Sequence, residues 1–213
     1  MAGAPSAEAI LCDYPFDHFI YPENTFFEAV NQAVRACEQI DEAVLLGVTP
    51  DTAESDFGWI VPAAGGLASP VIRPVRRFAE KPTKRVAARV RAAGGLWNTF
   101  ILASKIKTLW GFGWRHVPEM MTHFVDIWDA LRASTGSVPL ERVHQSLPSC
   151  DFSTHILQRA VRSLAVLEME NVYWSDWGRP ERILETLRLM GKEPSFSEEL
   201  VFARPRADHA ILC

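Results

Sequence analysis

The chain has 213 residues, of which 48% are hydrophobic and 23% charged, with a formal net charge of −4 and a pI near 5.9. This composition is typical of one globular domain, and the acidic balance argues against a nucleic acid polymer as a partner. No apolar run reaches the roughly 18 residues of a transmembrane helix, and residues 1–8 lack the basic and apolar regions of a signal peptide, so we predict a cytoplasmic protein without a membrane partner.

Strands and helices alternate along the first half of the chain. Short apolar runs bounded by polar residues, glycine or proline predict strands at residues 9–12, 43–48, 57–61, 71–78 and 97–103. Asn24 is a favoured N-cap for a helix that reaches Cys37, and Thr83 caps a helix that ends at Gly94 and Gly95. Alternation of this kind predicts the α/β class.

The composition becomes more helical from Ser104 onward. The spacing of apolar residues predicts further elements, namely helices at 116–133, 138–147, 152–161 and 180–190 and a strand at 165–174. The predicted fold is α/β, a mixed and mostly parallel sheet flanked by helices. One domain is expected to span residues 1–191, with a helical insertion at about 104–163, and residues 192–213 form a tail.

Basic residues cluster between Arg73 and Arg91, although the chain as a whole is acidic. Two interpretations fit this run equally well. It forms a solvated strand–helix face, or it binds phosphate.

Two aspartates follow predicted strands. In open α/β sheets, ligands gather at the carboxyl ends of strands, and carboxylates there suit Mg²⁺, which prefers hard oxygen ligands. Asp17 lies just beyond the first strand, where a turn-capping role is the simpler local interpretation. Asp176 lies in Trp-Ser-Asp-Trp-Gly (residues 174–178), where the alternative role is an N-cap for the last helix.

A second group of residues suits a phosphorylated sugar. Glu80 and Lys81, in Phe-Ala-Glu-Lys-Pro (residues 78–82), offer a carboxylate for hydroxyls and an ammonium for phosphate. Asn98, in Trp-Asn-Thr, both donates and accepts hydrogen bonds. Gly58 lets the backbone approach a ring closely. The alternatives are a surface salt bridge for the Glu-Lys pair and a packing role for the glycine.

These motifs, together with Pro-Phe-Asp-His (residues 15–18) and the segment at 49–60, occur in an order that resembles the sugar-1-phosphate nucleotidylyltransferases, most closely the mannose-1-phosphate guanylyltransferase branch. The resemblance covers about residues 9–190 and implies a Rossmann-like nucleotidyltransferase fold. In segment 49–60, Glu54 aligns with a family glutamate. Ser55 and Asp56 replace Thr-Gly, and Phe57 and Trp59 replace tyrosines.

The resemblance also implies a reaction, in which a nucleotidyl group passes from an NTP, GTP in the closest branch, to a hexose 1-phosphate such as mannose 1-phosphate. The products are an NDP-sugar and pyrophosphate, so the process is nucleotide-sugar biosynthesis. Asp17 and Asp176 would hold Mg²⁺, and with Lys81 they would be the catalytic residues. Glu80 would bind sugar hydroxyls and Lys81 the sugar phosphate.

Three further residues complete the substrate site that the resemblance implies. Asn98 would face the sugar, and Gly58 would lie against its ring. Glu54 would bind substrate at the position of the family glutamate. The sequence does not decide between GTP and other nucleotides, or between mannose and glucose.

The family opens with a glycine-rich loop, roughly Gly-Gly-x-Gly-Thr-Arg-Leu, that nothing here matches. We therefore expect an N-terminally truncated domain with little or no activity on its own. The strand at 9–12 should have an exposed edge that pairs with another chain or supports a homo-oligomer. The alternative function is a non-catalytic sugar-phosphate-binding or regulatory domain.

Overall fold

The computed structural model describes residues 6–132, 145, 147–197 and 201. A π-helical turn (Ser153–Leu157) and a 3₁₀ turn (Val161–Ser163) lie just before the strand that begins at Leu164. The strands and longer helices of the described chain are, in order, β1 (Ile10–Asp13), β2 (His18–Tyr21), α1 (Glu23–Gln39), β3 (Ala43–Val48), β4 (Trp59–Pro62), β5 (Ile72–Ala79), α2 (Lys84–Ala92), β6 (Leu96–Lys105), α3 (Ile106–His116), α4 (Pro118–Arg132), β7 (Leu164–Met169), β8 (Tyr173–Asp176) and α5 (Pro180–Leu189).

Six strands form one mixed sheet in the order β1-β6-β3-β7-β5-β4, and β4 also pairs with the start of β6. The α/β class and the flanking helices are confirmed. The expectation of mostly parallel pairing is wrong, because β3 and β7 form the one parallel pair among the described strands. Alternation of strands and helices did not reveal this, since the β4–β5 connection is a hairpin and β6 runs against β3.

Apolar residues cover both faces of the sheet. All six residues of β3 are buried, as expected for a central strand packed on two sides. Helix α1 covers one face through Ala29, Ala33, Ala36 and Cys37, which recur at helical spacing. On the other face, Phe112 of α3 packs with the π-helical turn against the sheet.

The two-stranded ribbon of β2 and β8 was not predicted. None of the strands predicted from the sequence includes residues 14–22, but His18–Tyr21 pairs antiparallel with Tyr173–Asp176. A four-residue strand carries little local pattern, and its partner lies more than 150 residues away. The strand predicted at 165–174 is also two strands, because Asn171 adopts a left-handed φ of 56° and turns the chain between β7 and β8.

Helix boundaries differ from the predictions at two places. Helix α1 begins at Glu23 after Pro22, with no side-chain cap, so Asn24 is not its N-cap. The helix predicted at 152–161 is replaced by the two short turns before β7. The helix predicted at 138–147 lies almost wholly outside the described residues. The domain limits stay a prediction.

Strand β1 lies at one end of the sheet and pairs, among the described strands, with β6 alone. Its other edge pairs with no strand in the part of the chain that the structure describes, as the sequence analysis expected. Pairing of this edge with another chain stays a prediction. Across the described ranges, no helix combines the length and apolar character needed to cross a membrane.

A bulge in β6 lies beside a pocket that Asn98, Thr99 and Phe100 help to line. The pairing of β3 with β6 shifts between Leu46 and Gly47, so that Thr99 and Phe100 are extra residues in β6. Phe100 adopts a left-handed φ of 60°. The buried Thr99 hydroxyl donates a hydrogen bond of 2.7 Å to the Leu46 carbonyl and so bridges the bulge. Bulges of this kind re-aim side chains near functional sites.

Thr99→Val is expected to lower the free energy of unfolding by about 1–3 kcal/mol, because the buried Leu46 carbonyl loses this donor. Thr122→Val is the matched control. The exposed Thr122 hydroxyl donates to the Pro118 carbonyl within α4, and its loss should cost about 0.5 kcal/mol or less. Urea unfolding measures both variants. Equal values for the two would contradict a structural role for the bulge hydrogen bond.

Candidate functional site

One pocket of about 280 Å³ collects most of the predicted site residues. It lies where β2, β4, β5, β6 and β8 begin or end and next to the π-helical turn. Six of the seven residues proposed from the sequence line it, namely Asp17, Gly58, Glu80, Lys81, Asn98 and Asp176. The seventh, Glu54, is not among the described residues that line the pocket. Its carboxylate accepts hydrogen bonds from the backbone N–H groups of Ser55 and Asp56 and so shapes the loop before β4.

Glu80 and Lys81 form the turn after β5. Lys81 has a left-handed φ of 40°, a conformation that costs a non-glycine residue free energy and is found often at functional sites. The side chain of Lys81 is 68% exposed, whereas that of Glu80 is 17% exposed. The Lys81 ammonium lies 3.8 Å from the Glu80 carboxylate. The turn therefore presents an exposed cation beside a partly buried anion.

The surroundings of Glu80 hold its carboxylate in place. Burial is the largest influence on Glu80 and raises its pKa above the ordinary value of 4.5. The negative charge of Asp151 raises this pKa further. The positive charge of Lys81 and a hydrogen bond from the Ser153 hydroxyl lower the pKa in part. Gly58 packs so closely that a Cβ atom there would lie 2.8 Å from Glu80 Oε2. A side chain at position 58 would therefore displace the carboxylate.

Gly58→Ala is expected to weaken binding of a sugar phosphate about tenfold, because the new methyl group moves Glu80 Oε2 from its position. The folded state should change little, since the atom that must move is the end of a flexible side chain. Gly111→Ala is the matched control, because a Cβ there meets no atom within 4 Å. Calorimetric titration and thermal unfolding measure the two effects. Unchanged affinity in Gly58→Ala would contradict the close approach.

Asn98 reaches the pocket from the start of the β6 bulge. Its Oδ1 atom accepts the backbone N–H of Phe100 at 3.3 Å, which fixes the orientation of the amide. Its own backbone N–H donates to the Gly58 carbonyl at 2.8 Å, so the two residues are joined directly. Within the described residues, the Asn98 amide nitrogen has no hydrogen-bond acceptor. It is available to donate to a ligand.

The β2–β8 ribbon brings the two proposed metal ligands to the same edge of the pocket. His18 lies opposite Asp176 in the ladder, and the Trp177 N–H donates to the Asp17 carbonyl at 2.9 Å. His18 Nδ1 accepts the indole N–H of Trp174 at 3.2 Å. Burial lowers the pKa of His18 below 6.5, and the neighbouring Asp17 and Asp176 raise it. The ring therefore serves as a neutral acceptor that orders the ribbon.

Asp176 also has partners within the chain, which the sequence analysis missed. Arg182 Nη1 lies 3.2 Å from Asp176 Oδ2, and the Gly178 N–H donates to Asp176 Oδ1 at 2.5 Å. The Arg182 guanidinium stacks 4.3 Å from the centre of the Phe57 ring. Asp56, another pocket residue, forms an ion pair with Arg179. Helix α5 and the residue before it thus supply cations to this side of the pocket.

Magnesium binding by Asp17 and Asp176 stays a prediction. Among the described residues, no group of three or more His, Cys, Asp or Glu side chains is placed to hold a metal. Magnesium needs no such cage, since it is commonly bound by one or two carboxylates together with water and substrate phosphates. A carboxylate has about four lone-pair sites, so Asp176 can accept from Arg182 and Gly178 and still bind a cation.

Two further pocket residues, Asp151 and Ser153, were missed by the sequence analysis. Asp151 Oδ1 accepts the Thr154 N–H at 2.6 Å, and hydrogen bonds from Thr154 hold the pKa of Asp151 below its usual range. The order Asp-Phe-Ser-Thr does signal such a turn. It does not signal that the turn lies beside Lys81, because that contact joins segments 70 residues apart.

Aromatic side chains pack against one another at the pocket. Phe57, Trp97 and Trp174 pack with ring centres 5.0–6.3 Å apart, and Trp59 adjoins Trp97 at 6.2 Å. This cluster is buried. Trp97 therefore contributes packing.

The family described as nucleotidyl transferase matches residues 4–193 of the chain. Among curated proteins, the alginate biosynthesis protein AlgA of Pseudomonas aeruginosa is 29% identical over 127 residues, which are 59% of this chain and 25% of AlgA. The xanthan biosynthesis protein XanB of Xanthomonas campestris is 36% identical over 93 residues, or 43% of this chain and 19% of XanB. The chain thus spans about a quarter or less of these relatives.

Solved structures share the same fold. The mannose-1-phosphate geranyltransferase of Thermus thermophilus superposes with a TM-score of 0.69 at 23% identity, over 87% of this chain and 50% of that one. The mannose-6-phosphate isomerase of Helicobacter pylori gives a TM-score of 0.67 at 20% identity, over 81% of this chain and 66% of that one. At these identities the similarity establishes the fold alone.

Proposed function

Because the chain belongs to the nucleotidyl transferase family, we propose that its pocket binds a hexose 1-phosphate as the acceptor of a nucleotidyl group. Mannose 1-phosphate is the proposed acceptor and GTP the proposed donor. The observation that carries the proposal is the convergence of Glu80, Lys81 and Asn98 in one pocket, around Gly58, whose lack of a side chain leaves room for the Glu80 carboxylate. The names of the relatives, which concern alginate, xanthan and mannose 1-phosphate, support a role in nucleotide-sugar formation.

Each side chain suits one part of the acceptor. The Glu80 carboxylate accepts hydrogen bonds from sugar hydroxyls, and the free amide nitrogen of Asn98 donates to another. The exposed Lys81 ammonium moves to neutralise the sugar phosphate. The positioned phosphate oxygen attacks the α-phosphorus of GTP, the bond between the α-phosphorus and its bridging oxygen breaks, and pyrophosphate leaves. Positioning and charge neutralisation provide most of the rate enhancement in such transfers.

Asp17 and Asp176 would hold Mg²⁺ beside this pocket. The ion supplies positive charge that neutralises phosphate oxygens as the transfer proceeds. Arg182 keeps Asp176 oriented through its 3.2 Å contact.

A second candidate function is sugar-phosphate binding without catalysis. It is favoured by the contacts of Asp176, since both of its carboxylate oxygens already have partners in Arg182 and Gly178 that compete with a cation. In this alternative, Arg182 takes the place of the metal charge, and the chain binds the acceptor alone.

Two measurements test the proposal and separate the candidates. Calorimetric titration compares mannose 1-phosphate with mannose, and a coupled assay follows pyrophosphate release from GTP, mannose 1-phosphate and Mg²⁺. The proposal expects preferential binding of mannose 1-phosphate. It expects pyrophosphate release to be slow, because nothing in the sequence matches the family's glycine-rich nucleotide loop, to depend on mannose 1-phosphate and to be abolished in Asp17→Asn. Binding without release supports the second candidate. Failure to bind mannose 1-phosphate would contradict both.

A further inference from the structure

A second cavity, which we call the arginine cleft, lies between β5 and the C-terminal half of α2. Its volume is about 570 Å³, and it shares no lining residue with the sugar-phosphate pocket. Three arginines surround it above valines whose side chains are partly or fully buried. The residues that define it are Arg76, Arg77, Arg89, Val61, Val86 and Val90.

A bulge at the edge of the sheet places two consecutive arginines on this cleft. Neighbouring residues of a regular strand point to opposite faces. Here β4 pairs with β5 through Val61↔Arg77 and Pro62↔Val75, so Arg76 is an extra residue. The bulge thus allows Arg76 and Arg77 both to line the cleft that α2 covers. Arg89 reaches the same cleft from α2.

No described residue neutralises the positive charge of the cleft. The segment from 73 to 91 holds eight of the 22 Lys and Arg residues but one of the 26 Asp and Glu residues. Among the described residues, the side chains of Arg76, Arg77 and Arg89 form no ion pair or hydrogen bond, and no acidic side chain lines the cleft. A cation near the C-terminus of α2 complements the helix dipole. This explains the position of Arg89 but not the positions of Arg76 and Arg77.

We propose that the arginine cleft binds a diphosphate group, separately from the sugar-phosphate pocket. Each phosphate carries a charge of about −1.5 to −2 at neutral pH, so two phosphates balance three guanidinium groups better than one does. Guanidinium groups bind phosphate oxygens in pairs, and the apolar floor of Val61 and Val90 strengthens the field above it. The diphosphate comes from free pyrophosphate or from a nucleoside diphosphate.

The test is calorimetric titration of the whole chain with sodium pyrophosphate, inorganic phosphate and GDP in the absence of Mg²⁺. Pyrophosphate should bind at least about tenfold more tightly than phosphate, and Arg76→Gln/Arg77→Gln should weaken it at least about tenfold. Arg85→Gln, an equally exposed change on α2 outside the cleft, should stay within about twofold of the wild type. Tighter binding of GDP than of pyrophosphate identifies a nucleotide as the source, and equal binding identifies free diphosphate.

Three results would overturn the proposal. One is the absence of saturable pyrophosphate binding. Another is an equal loss in Arg85→Gln, which indicates diffuse attraction instead of a site. The third is loss of binding in Lys81→Ala but not in Arg76→Gln/Arg77→Gln, which assigns the pyrophosphate to the sugar-phosphate pocket. Thermal unfolding without ligand verifies that the exposed arginine substitutions leave the fold intact.

Discussion

Lys81→Ala is expected to weaken binding of mannose 1-phosphate roughly 10- to 100-fold, the range set by one charge-assisted hydrogen bond to phosphate. The effect should appear almost entirely in binding. The Lys81 side chain is 68% exposed, and its nearest ion-pair contact, to Glu80, spans 3.8 Å. A pair this open contributes little to stability, so the midpoint of thermal unfolding should move little.

Lys84→Ala provides the matched control for this prediction. Lys84 is also exposed, lies three residues further along the chain in the first turn of α2, and does not line the pocket. Calorimetric titrations of the two variants at equal ionic strength should differ by at least about tenfold in Kd. An equal loss in both variants, or no loss in Lys81→Ala, would show that Lys81 does not bind the phosphate.

Glu80→Gln is expected to make the protein more stable at pH 7 and at the same time to weaken sugar-phosphate binding about tenfold or more. Burial holds the pKa of Glu80 above 4.5, so the folded state binds this proton more tightly than the unfolded chain. The free energy of unfolding therefore falls as pH rises from 4.5 through the folded pKa. Glutamine carries no charge and avoids that loss.

Thermal unfolding between about pH 4 and pH 8 measures this difference. The stability of Glu80→Gln and of the wild type should converge as pH falls below 4.5, because the Glu80 carboxyl then becomes protonated in the folded and the unfolded chain. Glu28→Gln, an exposed change within α1, should alter stability by about 0.5 kcal/mol or less at each pH. A destabilised Glu80→Gln at pH 7, or a difference that does not depend on pH, would contradict the burial of a charged carboxylate.

Local signals were sufficient for much of the fold. Residues 43–48 were predicted as a strand on their apolar run alone and form β3, because a strand buried on both faces needs such a run. Strand β2 was missed because its pairing with β8 depends on a distant partner. The mostly antiparallel pairing was also missed, because the local pattern of a strand does not reveal which strands it will lie beside or in which direction they run.

In the candidate site, too, some residues could be predicted from the sequence, whereas others depend on contacts between distant segments. The family resemblance is confirmed, and it selected six residues that the structure brings to one pocket. The roles of those residues stay predictions. Asp151, Ser153 and Arg182 were missed because each acts on the pocket through contacts between segments far apart in the chain. Their local sequences indicate only a turn and a helix.

A crystal structure of the chain with mannose 1-phosphate tests the central claim most directly. The account predicts the sugar phosphate within hydrogen-bond distance of the Lys81 ammonium, with hexose hydroxyls on the Glu80 carboxylate and the Asn98 amide, and the ring against Gly58. Density for the ligand in the arginine cleft, or in the pocket with its phosphate turned away from Lys81, would contradict the assignment of this pocket as the hexose 1-phosphate site.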